Sequence, residues 1–166
     1  SLDPHIRVMH DAITGESHEI ALSYRTSVVG ASSSEREHNL YEQLQGRQED
    51  EIRRGMTLVG PHKDDVAITL DGRRVRTFGS RGQVRSVVLA MKLAEMLAAR
   101  AAGVVPIFLL DDLSSELDRN RTSRLVGILR DLDAQVVITT TAVEHLDGLP
   151  PDNTKFVRVE GGHLRA

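Results

Sequence analysis

The chain contains 166 residues, enough for one compact domain that buries about two thirds of its unfolded surface without the help of a disulfide. Hydrophobic residues make up 40% and charged residues 27%, which excludes a disordered or fibrous protein. Cysteine is absent, which excludes thiolate metal sites, and the formal charge of −3 favours no class of partner.

Residues 1–54 predict an irregular lead, then a strand and a charged helix. Apolar and polar residues alternate in the segment 19–29, which is the period of a half-buried strand. The serines at 32–34 are suitable helix N-caps, and the stretch after them has few apolar anchors. We therefore expect a helix that is mostly exposed to solvent or that packs against a part of the protein missing from this chain.

Residues 56–77 predict a small antiparallel unit. Asp71-Gly72 lies between two alternating runs and indicates a hairpin, because glycine accepts the positive φ of a primed turn. Three short strands are expected in this unit, at 57–59, 66–70 and 74–77.

The loop at 79–82 opens the strongest helical pattern of the chain, which ends at Gly103. Its apolar positions form a wide stripe, typical of a buried helix. The stripe contains Val84, Val87, Val88, Met91, Ala94 and Ala98, with further apolar residues at 90, 93 and 97.

A βαβ unit follows this helix. The almost uninterrupted apolar run 104–110 predicts a central parallel strand with both faces covered. A helix at 119–132 and a buried strand at 136–140 complete the unit, whose crossover should be right-handed. The segment 156–164, with its Gly161-Gly162 pair, predicts a closing hairpin.

Asp111 and Asp112 directly follow the apolar strand. Parallel-sheet proteins bind ligands beyond the carboxyl ends of their strands. A strand that ends in two acidic residues is typical of a Walker B element, in which the first carboxylate holds Mg²⁺ and the second orients the attacking water. The alternative is that the pair only caps the next helix.

Two further segments flank this pair in the chain. Gly79-Ser80-Arg81-Gly82-Gln83 opens the long helix, and a serine with unpaired backbone amides at a helix N-terminus can bind phosphate. The alternative is an ordinary serine cap. The segment 115–118 lies where ABC-type ATPases carry the D-loop. In this order, the three segments form a pattern that chance rarely produces.

A P-loop requires a Gly-Lys pair, and this chain has none. Its three lysines follow other residue types: Lys63, Lys92 and Lys155. The chain thus carries the equivalents of a signature loop and a Walker B element without a Walker A loop. We expect the polypeptide alone to bind ATP weakly if at all. Its start at Ser1 indicates a processed end, the remnant of a tag or a piece of a longer protein.

From Gly55 to Gly162 the chain resembles the RecF family, bacterial recombination proteins with an ABC-type ATPase head related to SMC proteins. Residues 1–54 more loosely resemble the end of the family's helical second lobe, which predicts a division into 1–54 and 55–166. The resemblance implies an α/β fold: the C-terminal half of an ABC-type P-loop NTPase, with a parallel βαβ core and a small hairpin unit. The resembling segments are 57–65, 78–83, 93–95, 109–112, 115–118 and 138–141.

The resemblance also implies an ATP site shared between two subunits. Asp111 would hold Mg²⁺, and Asp112 would position the attacking water. Aspartate is one methylene shorter than the glutamate usual in ABC proteins, so hydrolysis should be slow. The signature residues would contact ATP held by the opposite subunit: Ser80, Arg81, Gly82 and Gln83.

Three more positions carry an implied role. Ser115 and Asp118 would belong to the D-loop. Thr140 stands at the switch position, where ABC proteins usually have a histidine, so a charged sensor of the γ-phosphate is missing.

The family resemblance further implies a head that dimerises on binding ATP and associates with DNA at gaps or single-strand/duplex junctions. Together with RecO and RecR, such a protein helps RecA to load. Arg73, Arg74 and Arg76, near Arg81 and Arg85, form a basic patch that could neutralise DNA phosphates. The alternative is a solvated hairpin. The sequence has no long apolar run, so we expect a cytoplasmic protein without membrane contact.

Two other classes of function stay open on the sequence alone. One is a DNA-binding and dimerisation module without catalysis, in which the aspartates and glycines are structural. The other is a Mg²⁺-dependent nuclease or phosphatase, which needs additional carboxylates. Asp64-Asp65 is the other candidate pair for such a site.

Overall fold

The computed structural model describes residues 3–113, 117–132, 134–141, 143–146 and 149–165. Its helices are α1 (Asp3–Thr14), α2 (Ser33–Arg54), α3 (Val75–Phe78), α4 (Arg81–Ala101) and α5 (Arg119–Asp131). Its strands are β1 (Ile20–Arg25), β2 (Asp65–Leu70), β3 (Arg73–Arg74), β4 (Ile107–Leu110), β5 (Gln135–Ile138), β6 (Arg158–Glu160) and β7 (His163–Arg165). Short 3₁₀ turns lie at Pro61–Lys63, Val143–Leu146 and Pro151–Asn153.

The N-terminal helix α1 corrects the prediction of an irregular lead. Ile6, Met9 and Ile13 recur at the spacing of one helical face, and Ile6 and Ile13 are fully buried. This face packs against α4 and α5. The apolar positions are too few and too close to the chain start to stand out from sequence alone, yet they anchor α1 to the core.

The antiparallel unit is built by β1, β2 and β3 in that order. β1 pairs with β2 from Ile20 opposite Leu70 onwards. Asp71 and Gly72 connect β2 to β3 with φ of +50° and +74°, which confirms the predicted hairpin turn.

Two of the strands predicted in this unit are wrong. Residues 57–59 are described and form no strand. The predicted strand 74–77 is reduced to Arg73–Arg74, because the chain turns into the helical turn α3. Val75 is buried at the start of that turn, and its carbonyl accepts a hydrogen bond from the Gly79 amide at 2.9 Å.

The charged helix α2 forms as predicted. Ser32 is its N-cap and accepts a hydrogen bond from the Glu35 amide, while Gly55 ends it in the left-handed conformation. None of its residues is buried, in agreement with the predicted exposure.

The long helix α4 forms the centre of the core, and part of the predicted wide stripe is buried there: Val87, Ala90, Leu93 and Ala94. Val88 was expected inside and is 50% exposed. The difference arises because the apolar positions cover more than half of the helix, so they do not define which side packs. The buried residues are Ser86, Val87, Ala90, Leu93, Ala94 and Met96.

The parallel pair of β4 and β5, connected through α5, confirms the predicted βαβ core. The expectation that both faces of β4 are covered is wrong for the described residues. Phe108 joins the core, whereas Ile107 is 60% and Leu109 is 71% exposed. The side chains of β4 alternate, so one face packs and the other is open.

The chain ends in the predicted hairpin, in which β6 pairs antiparallel with β7. Because α1 packs on α4 and β1 pairs with β2, residues before 55 contact residues after it. The division into 1–54 and 55–166 stays a prediction. Within the described ranges, no helix combines the length and the apolar character needed to cross a membrane.

Candidate ATPase half-site

The two aspartates after β4 are held by a threonine at the end of β5. The Thr139 hydroxyl donates a hydrogen bond to Oδ1 of Asp111 and accepts one from the backbone amide of Asp112 at 2.9 Å. Backbone bonds continue the strand pairing past both strand ends: Thr139 donates to Leu110, and Leu113 donates to Thr139. Thr139 therefore fixes the position of both acidic residues.

Asp112 has an unusual backbone conformation, with φ of +48°. Aspartate and asparagine tolerate this left-handed region better than most residues. Asp111 and Asp112 are both exposed. Two carboxylates at the carboxyl end of a parallel strand are thus accessible to a ligand.

The predicted signature loop forms a complete capping box. The Ser80 hydroxyl accepts a hydrogen bond from the Gln83 amide at 3.2 Å, and the Gln83 side-chain oxygen accepts one from the Ser80 amide at 2.9 Å. Ser80 is therefore the N-cap of α4, which was the alternative interpretation of this serine. It is compatible with phosphate binding, because the hydroxyl that accepts this bond can still donate its own proton. Arg81 is exposed beside it.

Gly82 lies against a side chain from α5. A Cβ atom at this position would be 2.9 Å from Nη1 of Arg121. The same Nη1 donates to the Ser86 hydroxyl at 3.2 Å. Sequence reasoning missed Arg121; its spacing of three residues from Asp118 in a helix was the available signal.

Asp118, the last residue of the predicted D-loop, is the N-cap of α5. Its Oδ1 accepts a hydrogen bond from the Arg121 amide at 3.0 Å, and its Oδ2 lies 3.3 Å from the Arg121 Nε. The predicted D-loop residue Ser115 lies outside the described residues.

Thr140, predicted at the switch position, directly follows Thr139. The contacts with Asp111 and Asp112 are made by Thr139, one residue earlier. The role of Thr140 stays a prediction.

A groove of about 660 Å³ lies between α4 and β4. Val84 and Arg85, from the first turn of α4, line it together with Asp111 from the end of β4. The exposed Ile107 and Leu109 of β4 supply part of its apolar wall. The start of the signature helix and the first Walker B aspartate therefore face the same groove.

Asp111 is suited to be the one protein carboxylate that binds the predicted Mg²⁺. Among the described residues, no three His, Asp or Glu side chains converge in a way that could hold a metal ion alone. Mg²⁺ in phosphoryl-transfer sites is commonly bound through one or two carboxylates together with substrate phosphates. Asp111, with one carboxylate oxygen oriented by Thr139, meets this requirement.

The other acidic pair lies in a different sheet. Asp65 begins β2, and Oδ2 of Asp64 accepts a hydrogen bond from the Tyr24 hydroxyl, which raises the pKa of Tyr24. The antiparallel sheet that contains β2 is separate from the parallel pair β4 and β5. These carboxylates therefore do not extend the pair Asp111 and Asp112 into a nuclease-type cluster.

The predicted basic patch lies on the β2–β3 hairpin and α3. Arg73, Arg74 and Arg76 are exposed. Arg76 is 3.8 Å from Asp65, and both side chains are largely solvated, so this ion pair is weak. The charges of the patch are accessible to a polyanion.

The pKa values of two histidines near the hairpin are shifted in opposite directions. Hydrogen bonds to Asp71 and then to Glu16 raise the pKa of His18, at 2.7 and 3.1 Å. Burial, followed by the nearby charge of His18, lowers the pKa of His10. His10 is 1% exposed, neither of its ring nitrogens has a hydrogen-bond partner among the described residues, and its closest carboxylate, that of Asp11, is 3.8 Å away.

Comparison with known proteins identifies the chain at the sequence level. No model of a protein family matches it. The DNA replication and repair protein RecF of Geobacter sulfurreducens is 43% identical over 148 residues, which cover 87% of this chain and 40% of that relative. RecF of Myxococcus xanthus is 46% identical over 126 residues, which cover 75% of this chain and 33% of that relative. The chain spans less than half of the length of these relatives.

Solved structures agree. A structure of the recombination mediator protein RecF-ATP in the RecFOR pathway has a TM-score of 0.62 at 27% identity and covers 85% of this chain and 38% of that chain. An SMC ATPase structure has a TM-score of 0.52 over 99% of this chain and 80% of that one; at 12% identity it shows the fold alone. The fold is thus that of an ABC-type P-loop NTPase head. The chain belongs to the RecF family and corresponds to the C-terminal part of its members.

Proposed function

We propose that this chain supplies the C-terminal half of a RecF-type ATPase head that acts in recombinational DNA repair. The observation that carries the proposal is the pair Asp111 and Asp112, held by Thr139 at the carboxyl end of a parallel strand. Phosphoryl transfer to water is catalysed by positioning and by electrostatic stabilisation, and two exposed carboxylates at this place can supply both.

The two aspartates have distinct roles in this proposal. Asp111 holds Mg²⁺, which when bound supplies positive charge to the transferred phosphoryl group. Asp112 orients the attacking water with its exposed carboxylate. Because Asp112 is shorter than glutamate, the water is less well aligned and turnover is slow.

The signature residues act on ATP bound to the opposite subunit. The Ser80 hydroxyl donates to a phosphate oxygen while it accepts from the Gln83 amide, and Arg81 adds a positive charge. The Gly82 amide lies at the positive end of the α4 dipole, which favours an anion. Because these contacts cross between subunits, dimerisation depends on ATP.

The basic patch of Arg73, Arg74 and Arg76 contacts DNA phosphates in this proposal. Phosphate contacts of this kind do not depend on base sequence and weaken as salt is added. Together with RecO and RecR in the cytoplasm, the protein acts at gaps or junctions that border duplex DNA and helps RecA to load. The solved RecF-ATP structure is described as that of a recombination mediator in the RecFOR pathway, which supports this assignment.

A chimera tests the proposal, since this chain has no Gly-Lys pair of its own. It joins the N-terminal part of Geobacter sulfurreducens RecF, up to the start of the similarity, to this chain. We expect ATP-dependent dimers and slow hydrolysis, and we expect Asp112→Asn to abolish hydrolysis while dimers persist. Hydrolysis that survives Asp112→Asn would contradict the catalytic role and favour a non-catalytic module. Sustained cleavage of labelled DNA by this chain alone with Mn²⁺ would support a nuclease instead.

A further inference from the structure

One guanidinium group connects the start of α4 to the start of α5. Arg121 lies in the first turn of α5, and 23% of its side chain is exposed. Its Nη1 donates to the hydroxyl of Ser86, which is fully buried on α4, and its Nε pairs with the carboxylate of Asp118. Arg121 belongs to α5 and donates to a residue of α4, so its guanidinium bridges the two helices.

The bridge also lies against the first turn of α4. A Cβ atom at position 82 would lie 2.9 Å from Nη1, so a side chain there would shift the guanidinium. The buried Ser86 hydroxyl gains a charged donor there, which is worth more than a neutral one. Arginine suits this position better than lysine, because its planar group presents several donors in fixed directions.

We propose that Arg121 is a positioning residue that makes the starts of α4 and α5, with the signature residue Gly82 and the D-loop residue Asp118, move as one unit within a subunit. Gly82 lies in the first turn of α4 and Asp118 is the N-cap of α5, so a tie between the two helix starts fixes these two residues relative to each other. The inference rests on the proposed function for its consequence in ATP hydrolysis. The tie itself is a property of this chain and can be tested without ATP.

Arg124 is a matched control. It lies one turn later on α5, and its guanidinium donates to the carbonyl of Thr14 at the end of α1. Arg124→Gln therefore removes the same kind of group from the same helix while it weakens a contact with a different element.

Hydrogen exchange of this chain, followed by mass spectrometry, tests the tie directly. Arg121→Gln should accelerate exchange of the amides at 84–87 and at 121–124 by about tenfold, the effect of losing a charged hydrogen bond. The distal part of α4, at 95–98, should be unchanged. Ser86→Ala should reproduce the effect at 84–87, and adding it to Arg121→Gln should produce no further increase there. Unchanged exchange at 84–87 in Arg121→Gln, or an equal increase in Arg124→Gln, would overturn the proposal.

Steady-state hydrolysis by the chimera tests the consequence. Arg121→Gln should lower kcat about tenfold and leave KM nearly unchanged, because the side chain positions the two helix starts and does not bind ATP. Arg124→Gln should retain the unmodified kcat. A raised KM with unchanged kcat would contradict the positioning role. If the unmodified chimera hydrolyses no ATP, the proposed function fails, and the exchange result alone decides whether Arg121 couples the helices.

Discussion

Thr139→Val tests the geometry on which the candidate site depends. Valine has nearly the shape of threonine and suits a strand end, so the change removes the hydroxyl with little change in packing. Two hydrogen bonds are lost: the donation to the Asp111 carboxylate and the acceptance from the Asp112 amide. A neutral hydrogen bond contributes about 1 kcal/mol and one to a charged group about 2 kcal/mol, but both lie at an exposed surface where water replaces the lost partner. We therefore expect the free energy of unfolding to fall by about 1–2 kcal/mol in total.

Two assays check this expectation. Urea unfolding of this chain should show the loss in stability at an unchanged m-value. In the chimera, an Asp111 carboxylate that has lost its orientation should lower kcat by about tenfold, which corresponds to 1.36 kcal/mol of transition-state stabilisation. Thr69→Val is the matched control, since the Thr69 hydroxyl makes only a long 3.5 Å contact, with the Ala21 carbonyl, in the other sheet. If Thr139→Val behaves like Thr69→Val in both assays, Thr139 does not hold the aspartates and the account of the site is wrong.

Four further predictions each concern a single residue. Asp112→Asn should keep the left-handed backbone while it abolishes hydrolysis in the chimera, as measured by phosphate release. Ser80→Ala should cost about 1 kcal/mol in urea unfolding through the lost cap, and more than Ser32→Ala, because α4 is buried and α2 is not. His10→Leu should raise the free energy of unfolding by about 1 kcal/mol, since it removes an unpartnered buried imidazole. The gain should be larger at pH 5.5 than at pH 7.5. Because the pKa of His10 is lowered in the folded state, His10 takes up a proton more readily when the chain is unfolded, and it therefore lowers the free energy of unfolding as the pH falls. His18→Gln should show the opposite pattern, with the larger loss at pH 5.5, because the pKa of His18 is above 6.5 when folded.

Helices, strands and turns that depend on neighbouring residues in the chain could be predicted from the sequence. Those that depend on packing against distant residues could not. The β2–β3 turn was predictable because Asp71-Gly72 between two alternating strands favours a two-residue hairpin turn with positive φ. The exposure of α2 followed from its lack of apolar anchors. The helical turn α3 was missed because its cause is the burial of Val75 in a core formed by distant residues, which overrides a strand-like pattern.

For the candidate site, the motif residues could be predicted from the sequence, but the residues that hold them in place could not. Asp111, Asp112 and Ser80 stand at positions that chain order alone marks as chemically useful. Thr139 and Arg121 act through partners 28 and 35 residues away in the sequence, and no local pattern shows such contacts. Their roles are visible only when the helices and strands have been placed.

The contact of Thr139 with Asp111 depends on the register of the two parallel strands. Leu110 lies opposite Ile138, so the next residues along the two strands, Asp111 and Thr139, must lie side by side. A slip of one residue would place Thr140 there instead. The sequence cannot distinguish the two, because apolar runs such as 107–110 and 136–138 lack the alternation that normally specifies register. The α5 connection and the packing of Phe108 into the core select one register, and with it the threonine that holds the Walker B aspartates.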